Sequence, residues 1–210
     1  MIGYVMSTLG VLTSSDSRSR GKMEDVSGNL VIELMKDRGY ELCQDQVVPD
    51  EPDIIRNILI KVKKNNSRVF IFGNGGSAAI ASHASVDLTK NVKIKAINFN
   101  EADLITCFSN DYGYERWVEK AIDFYADKGD VVILISSSGK SKNMLNACRV
   151  ARRKKISKII TFTGNKKNNP LSKLGDINLW VDSNVYNHIE NTHQIWLLSI
   201  CDLISLNKVK

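Results

Sequence analysis

The chain has 210 residues, 43% hydrophobic and 25% charged, with a formal net charge of +6. That length suffices for one large α/β core, or for a core with a smaller appendage. No run of about 18 apolar residues and no basic leader with an apolar core occurs, so neither a membrane span nor a secretory signal is expected and the cytoplasm is the default.

In chain order, Leu9 to Thr13 reads as a strand, followed by the polar loop SSDSRSRGKMEDVSGN. A helix comes next, with Asp25 or Ser27 as its cap, Leu30, Val31, Leu34 and Met35 as its apolar face, and Gly39 at its end. Leu42 to Val48 is a second strand. Pro49-Asp50-Glu51-Pro52 turns the chain, and Ile54, Ile55, Ile58, Leu59 and Val62 recur at helical spacing, so this segment is βαβα.

Val69 to Phe72 is an apolar, β-branched and aromatic run, as in a parallel strand covered on both faces. Gly73, Gly75 and Gly76 stop it, and Ser77 with the alanines after it opens a helix. Glycines let backbone N–H groups approach a ligand, and the helix N-terminus attracts an anion, so a phosphate is the natural guest. Neither the spaced-glycine dinucleotide pattern nor a loop ending in Gly-Lys-Ser/Thr is present, and no nucleotide cofactor is expected. Asn74, inside the turn, either bonds a substrate hydroxyl or tolerates the turn's backbone angles.

Further strands fall at Lys93 to Phe99, Val131 to Ser136, Lys158 to Thr163 and Ile177 to Val181. Helical segments lie at Glu101 to Ser109, Tyr114 to Ala126 and Ser141 to Lys154. Alternating strands and helices imply a parallel sheet with ligands outside the carboxyl ends of the strands. The buried run Val131 to Ile135 delivers Ser136, Ser137, Ser138, Gly139 and Ser141 just before a helix. Four hydroxyls and a glycine there supply side-chain and backbone donors to a phosphate, with Lys140 and Lys142 adding positive potential.

Residues 1–68 carry equal numbers of basic and acidic side chains, so the whole positive excess lies in residues 69–210. Arg149, Arg152, Arg153, Lys154, Lys155 and Lys158 mark a helix end, where cations complement the dipole and face water. With no aromatic platform beside them, nucleic acid is not an expected partner. Cys43, Cys107, Cys148 and Cys201 have no paired spacing and read as reduced core cysteines. Trp117, Trp180 and Trp196 are expected in the core or at subunit contacts.

His83 and Asp87, at i and i+4, share one helix face. Glu190 and His193, at i and i+3, do the same on a last helix from about Val185 to Leu206. Two such pairs converging can hold zinc or a similar divalent ion. That last helix has Ile189, Thr192, Ile195, Trp196, Ser199, Ile200 and Leu203 on its apolar side and needs a partner. His188 and the run Asn110-Asp111-Tyr112-Gly113 read as loop and turn.

Two stretches resemble known families. GVLTSSDSRSRGKMEDVSGN followed by VVPDEPDII, within residues 8 to 62, resembles the first half of the molybdenum-cofactor biosynthesis domain of the MoaB and MogA type. That resemblance implies pterin binding through Asp50. The family's next strand should end in Gly-Gly-Thr-Gly with an acid soon after, and here the chain reads GNGGSAAIASH, so the completing half is missing.

From Val69 onward the chain resembles the sugar-isomerase (SIS) domain, specifically the phosphoheptose isomerase branch. The matching stretches are FGNGGSAAIASHASVDLT, FNEADLITCFSNDYGYE, KGDVVILISSSGKSKNMLNA, KIITFTG and YNHIENTHQIWLLSICDLI. The resemblance implies a three-layer α/β/α fold with a mainly parallel, doubly wound sheet, over residues 67–210 after a βαβα segment at 1–66. It also implies aldose–ketose isomerisation of a phosphorylated sugar such as a ketose 7-phosphate, for polysaccharide precursors. Asn74, Gly75, Gly76, Ser77, Ser136, Ser137, Ser138, Ser141, Asn110 and Asp111 would hold the substrate. Asp87 and His193 would move the proton, His83, Asp87, Glu190 and His193 would hold zinc, and a neighbouring chain of a homodimer or homotetramer would complete the site.

The sequence departs from that pattern. Asp87 stands where the family has a glutamate, Glu190 where it has a glutamine, and Leu198 where it has a second histidine. Either His193 substitutes for that histidine from one turn earlier, or the protein binds sugar phosphates without isomerising them. A non-catalytic SIS module, like the replication regulator DiaA, and a molybdopterin-binding protein are therefore the alternatives.

Overall fold

The structure, a computed structural model, describes residues 8–14, 24, 26–37, 41–48 and 51–206. Its N-terminal part holds two parallel strands, β1 (Thr8–Ser14) and β2 (Glu41–Val48), joined through helix α1 (Val26–Lys36). This is the expected βαβ order. The helix starts at Val26, so Ser27 lies inside it, while Asp25, Gly39 and Asp50 fall outside the described residues. Its expected apolar face is displaced: Leu30, Val31 and Leu34 are exposed, and among its described side chains Ile32 is the buried one. A two-stranded sheet is too narrow to cover a full helical stripe, so one position is taken and its neighbours are left out.

The chain divides between Glu51 and Pro52 into two compact units. This differs from the boundary expected near residue 66. Helix α2 (Glu51–Lys64) lays Ile55, Leu59 and Val62 into the same core as the large sheet, so its apolar stripe assigns it to the second unit.

That unit is a five-stranded, wholly parallel sheet. In chain order its strands are β3 (Arg68–Phe72), β4 (Lys95–Ile97), β5 (Val131–Ser136), β6 (Lys158–Thr163) and β7 (Ile177–Trp180), and in space they run β4-β3-β5-β6-β7. The helices are α3 (Gly76–Asp87), α4 (Ala102–Tyr112), α5 (Trp117–Tyr125), α6 (Lys142–Arg153) and α7 (Tyr186–Leu206). A π-helical turn, Leu88–Val92, continues α3 past Asp87. Because strand side chains alternate between faces, Val69, Ile71, Val131, Ile133 and Ile135 meet α2, α3 and α7. Phe70, Phe72, Val132 and Leu134 meet α5 and α6 on the other side. The result is the expected three layers.

Arg68 fixes the sheet at the amino end of β3. Its backbone N–H and its Nη2 donate to the two carboxylate oxygens of buried Asp130, both at 2.8 Å, just before β5 begins. A bidentate, charge-assisted contact of this kind aligns β3 with β5.

Several local expectations change. The tryptophans divide, with Trp117 buried and Trp180 and Trp196 only partly covered. Cys148 and Cys201 are buried, and burial pushes their thiols up to about 11 and about 12, whereas Cys107 is exposed on α4. The basic end of α6 is more than a solvated face. Arg152 pairs with Asp176 at 2.6 Å and bonds the Leu174 carbonyl, and Arg153 pairs with Glu119 at 3.6 Å.

Assigning α2 to the sheet has a measurable consequence. Leu59→Ala should destabilise the large unit by about 2–5 kcal/mol, as for a buried leucine. Leu30→Ala, at a position 54% exposed, should stay within about 0.5 kcal/mol in urea denaturation followed by circular dichroism.

Candidate active site

The strand order reverses direction between β3 and β5, and ligands of open α/β sheets bind beyond the carboxyl ends of the strands at that point. Phe72 pairs with Leu134 there, so the glycine turn after β3 and the serine loop after β5 open side by side.

The serine loop is built like an anion cradle. Ser136 and Ser137 are buried, Ser136 Oγ lies 3.1 Å from Ser141 Oγ, and the Ser137 hydroxyl is buried with no partner. A buried hydroxyl left unpaired costs free energy, and a bound phosphate oxygen would satisfy it. Ser138 Oγ accepts from the Lys140 N–H at 3.2 Å, and Ser141 precedes α6 without capping it through its side chain. Gly139 holds φ +63, and a Cβ there would run into Asn169. Only glycine fits that bend.

The glycine turn has a different character. Gly75 caps α3 at φ 55, and Ser77 is buried with its N–H on the Asn74 carbonyl at 3.0 Å. The Glu190 carboxylate from α7 lies over Gly76, so close that a Cβ on residue 76 would overlap it. An anion from the protein itself therefore stands at the positive end of α3.

Asn74 links the two loops. Its Nδ2 donates to Asn143 Oδ1 at 3.0 Å, the Asn143 Nδ2 donates back to Asn74 Oδ1 at 2.8 Å, and the Tyr114 hydroxyl donates to the same oxygen at 3.2 Å. Asn110 and Asp111 complete the last turn of α4 instead of forming a free turn, both are exposed, and they bond each other at 2.9 Å. Gly113 caps that helix at φ 86 and turns the chain toward Tyr114.

The expected histidine and carboxylate pairs do not converge. His83 Nε2 and Asp87 Oδ2 lie 3.9 Å apart, but the side chain that reaches His83 from α7 is Gln194, with Nε2 3.4 Å from His83 Nδ1, and Asp87 Oδ1 accepts from Asn91 Nδ2 at 3.1 Å. Glu190 is engaged at Gly76. His193 is fully buried: Nε2 donates to the Thr163 carbonyl at 3.1 Å, the ring meets Phe162 and Trp196, and Nδ1 has no partner. Burial pulls its pKa down to about 4, so at neutral pH it is uncharged and enclosed. Among the described residues no three His, Cys, Asp or Glu side chains are grouped to hold a metal.

The reason is a shift in the face that α7 buries. Ile189, His193, Leu197, Ile200, Cys201 and Ile204 point inward, while Ile195 is 62% and Leu203 40% exposed. His193 falls in the centre of that stripe. His188, expected in a loop, is an exposed residue of the first turn of the same helix.

A family model described as the SIS domain matches residues 53–164. The phosphoheptose isomerase of Aliarcobacter butzleri is 36% identical over 153 residues, covering 70% of this chain and 80% of the relative. This chain belongs to the phosphoheptose isomerase family. The phosphoheptose isomerase of Thermodesulfovibrio yellowstonii is 33% identical over 156 residues, 71% of this chain and 77% of that relative. The solved phosphoheptose isomerase GmhA of Neisseria gonorrhoeae superposes with a TM-score of 0.69 at 27% identity, over 74% of this chain and 85% of that one. The family match begins at residue 53, in α2, close to where the structure divides.

Tyr114, Asn143, Gln194 and Asn169 were not singled out by sequence reasoning. Tyr114 and Asn143 lie within stretches that carry the family resemblance, but only their neighbours had an assigned role. Nothing in spacing could pair residues 74 and 143.

The buried His193 makes stability depend on pH. Its folded pKa lies below the ordinary 6.5, so the unfolded chain binds the extra proton, and stability is lost as pH falls from about 6.5 toward 4. The loss should reach about 3 kcal/mol. His193→Gln, which keeps a donor for Thr163 but does not titrate there, should lack this component in denaturation curves taken across that range.

Proposed function

We propose that the protein is a sugar-phosphate isomerase that interconverts a ketose 7-phosphate and its aldose, as the names of its relatives suggest, in making precursors of cell-surface polysaccharide. The observation that carries this reading is the juxtaposition of a phosphate cradle with an unpaired buried hydroxyl, at Ser136 to Ser141, and the Asn74 amide at the switch point. Such a charged metabolite is made and used inside the cell, which supports a cytoplasmic place for the enzyme.

In this reading the serine hydroxyls and the first backbone N–H groups of α6 bind the phosphate and anchor one end of the sugar. Asn74 donates a hydrogen bond to the carbonyl oxygen, whose negative charge grows as the enediolate forms. A carboxylate takes the proton from the carbon beside the carbonyl and returns it to the carbonyl carbon, while the hydroxyl proton on the first carbon passes to the former carbonyl oxygen. Asp87 is the base in this proposal. His193, enclosed in the core with Nε2 occupied, takes no part in the transfer.

Asp87 is eleven residues along α3 from Gly76, a rise of about 16 Å. The pair His83 and Asp87 therefore serves the cradle of an adjoining copy, and α3 and α7 expose Val86, Ile195 and Leu203 for such a copy to cover. Zinc does not fit the described residues that one chain brings together, since His83 gains the Gln194 amide, Asp87 gains the Asn91 amide, and no third His, Cys, Asp or Glu joins them. No step is routed through it. Asp50, on which a pterin reading depends, lies outside the described residues.

A coupled assay with sedoheptulose 7-phosphate tests the activity. Wild-type protein should turn it over, and Asp87→Asn should lower kcat by about 10²–10⁴ with little change in KM. Binding without turnover would make the chain a sensor. Ser138→Ala with Ser141→Ala should weaken binding by about 3 kcal/mol, roughly a hundredfold, and unchanged affinity in calorimetry would remove the cradle.

The shared site also predicts assembly. Light scattering should find dimers or tetramers, and Ile195→Asp should yield inactive monomers. An active monomer would place the base within one chain.

A further inference from the structure

We propose that Asn143 and Tyr114 are positioning residues that lock the Asn74 amide, so that it meets the sugar as a hydrogen-bond donor and never as an acceptor. The inference rests on the isomerase reading and adds to it a reason for the polarity of the site.

An asparagine amide can present either its oxygen or its NH2, and the two are similar in shape. Here the choice is forced from a distance. Asn143, second in α6 and 2% exposed, accepts the Met144 backbone N–H on Oδ1 at 3.1 Å. A backbone N–H only donates, and this one is shared with the Ser141 carbonyl at 3.1 Å, so the orientation that turns the Asn143 oxygen toward it is favoured over the one that would set an NH2 against it.

That orientation passes to Asn74 through the reciprocal pair. The Asn74 NH2 has to oppose Asn143 Oδ1, and its oxygen has to oppose Asn143 Nδ2, at 3.0 and 2.8 Å. Tyr114 then takes the second lone pair of Asn74 Oδ1 at 3.2 Å. With both lone pairs of the oxygen used and one N–H of the amide used, the one group of Asn74 left for a ligand is a single N–H.

One N–H of fixed direction suits an oxygen that gains negative charge, such as the carbonyl of a ketose on its way to an enediolate. The lock is also tied to the phosphate cradle, since Asn143 follows Ser141 by two residues. Asn146 on the next turn of α6 donates to the Glu115 carbonyl at 2.9 Å and holds the Tyr114 loop in place. Phosphate binding at the start of α6 and the aim of Asn74 thus share one rigid segment.

The test is a set of variants assayed with sedoheptulose 7-phosphate for kcat, KM and Tm. Tyr114→Phe alters a side chain 54% exposed, so folding should be intact. It should lower kcat by about tenfold, the worth of one hydrogen bond, with KM within about twofold. Asn143→Asp keeps an acceptor for the Met144 N–H and places a negative charge at a helix start, so Tm should hold. Its second oxygen opposes Asn74 Oδ1, so kcat should fall as far as in Asn74→Ala.

In the Asn74→Ala background, Tyr114→Phe and Asn143→Asp should have no further effect on kcat/KM, because both act through Asn74. Additive losses in the double variants, or wild-type kcat in Asn143→Asp, would overturn the inference while leaving the isomerase reading intact. A wild-type protein that binds the sugar phosphate without turning it over would remove both.

Discussion

The site depends on the pairing of β3 with β5. These strands are separated in the chain by a helix, a π-helical turn, a further strand and two more helices, yet they lie side by side with Phe72 opposite Leu134. Because both run the same way, the turns at their carboxyl ends emerge together, one rich in glycine and one in serine. A parallel sheet buries these strands on both faces, so their positions are set by packing on two sides. The Arg68–Asp130 contact holds the pairing at the amino end, and the Asn74–Asn143 amide pair bridges the loops at the other.

Charge is divided between the two loops. Helix α3 begins at the glycine turn and its positive end is met by the Glu190 carboxylate, whereas α6 begins beside hydroxyls and an uncapped Ser141. Two helix N-termini stand at one opening, but only the second is left for an external anion. In the proposed function this division gives the phosphate to the serine loop and leaves Asn74 for the neutral and reactive part of the sugar. The unpaired Ser137 hydroxyl is consistent with the same division.

The last helix illustrates how one turn of phase changes a residue's role. Its inward stripe runs through His193, so an imidazole that stands three residues from Glu190 in the sequence is enclosed between Phe162 and Trp196. Gln194, one residue on, is the side chain that meets His83. Leu198 is half-buried on the same helix.

Local physics was readable in the sequence. Apolar runs between glycines and serines marked β3, β5 and β6 closely, because buried parallel strands carry a continuous signal, and β4 emerged shorter than its apolar run. Glycine and serine at strand ends marked the two loops that open beyond β3 and β5, since a backbone that must bend or donate leaves few alternatives in residue type. The phase of α1 and α7, the membership of α2 and the burial of His193 depended on what the helices pack against, which period alone does not specify. The same holds for the Asn74–Asn143–Tyr114 contact. It joins residues 40 and 69 positions apart, and only the folded sheet, by placing β3 beside β5, brings them within hydrogen-bonding distance.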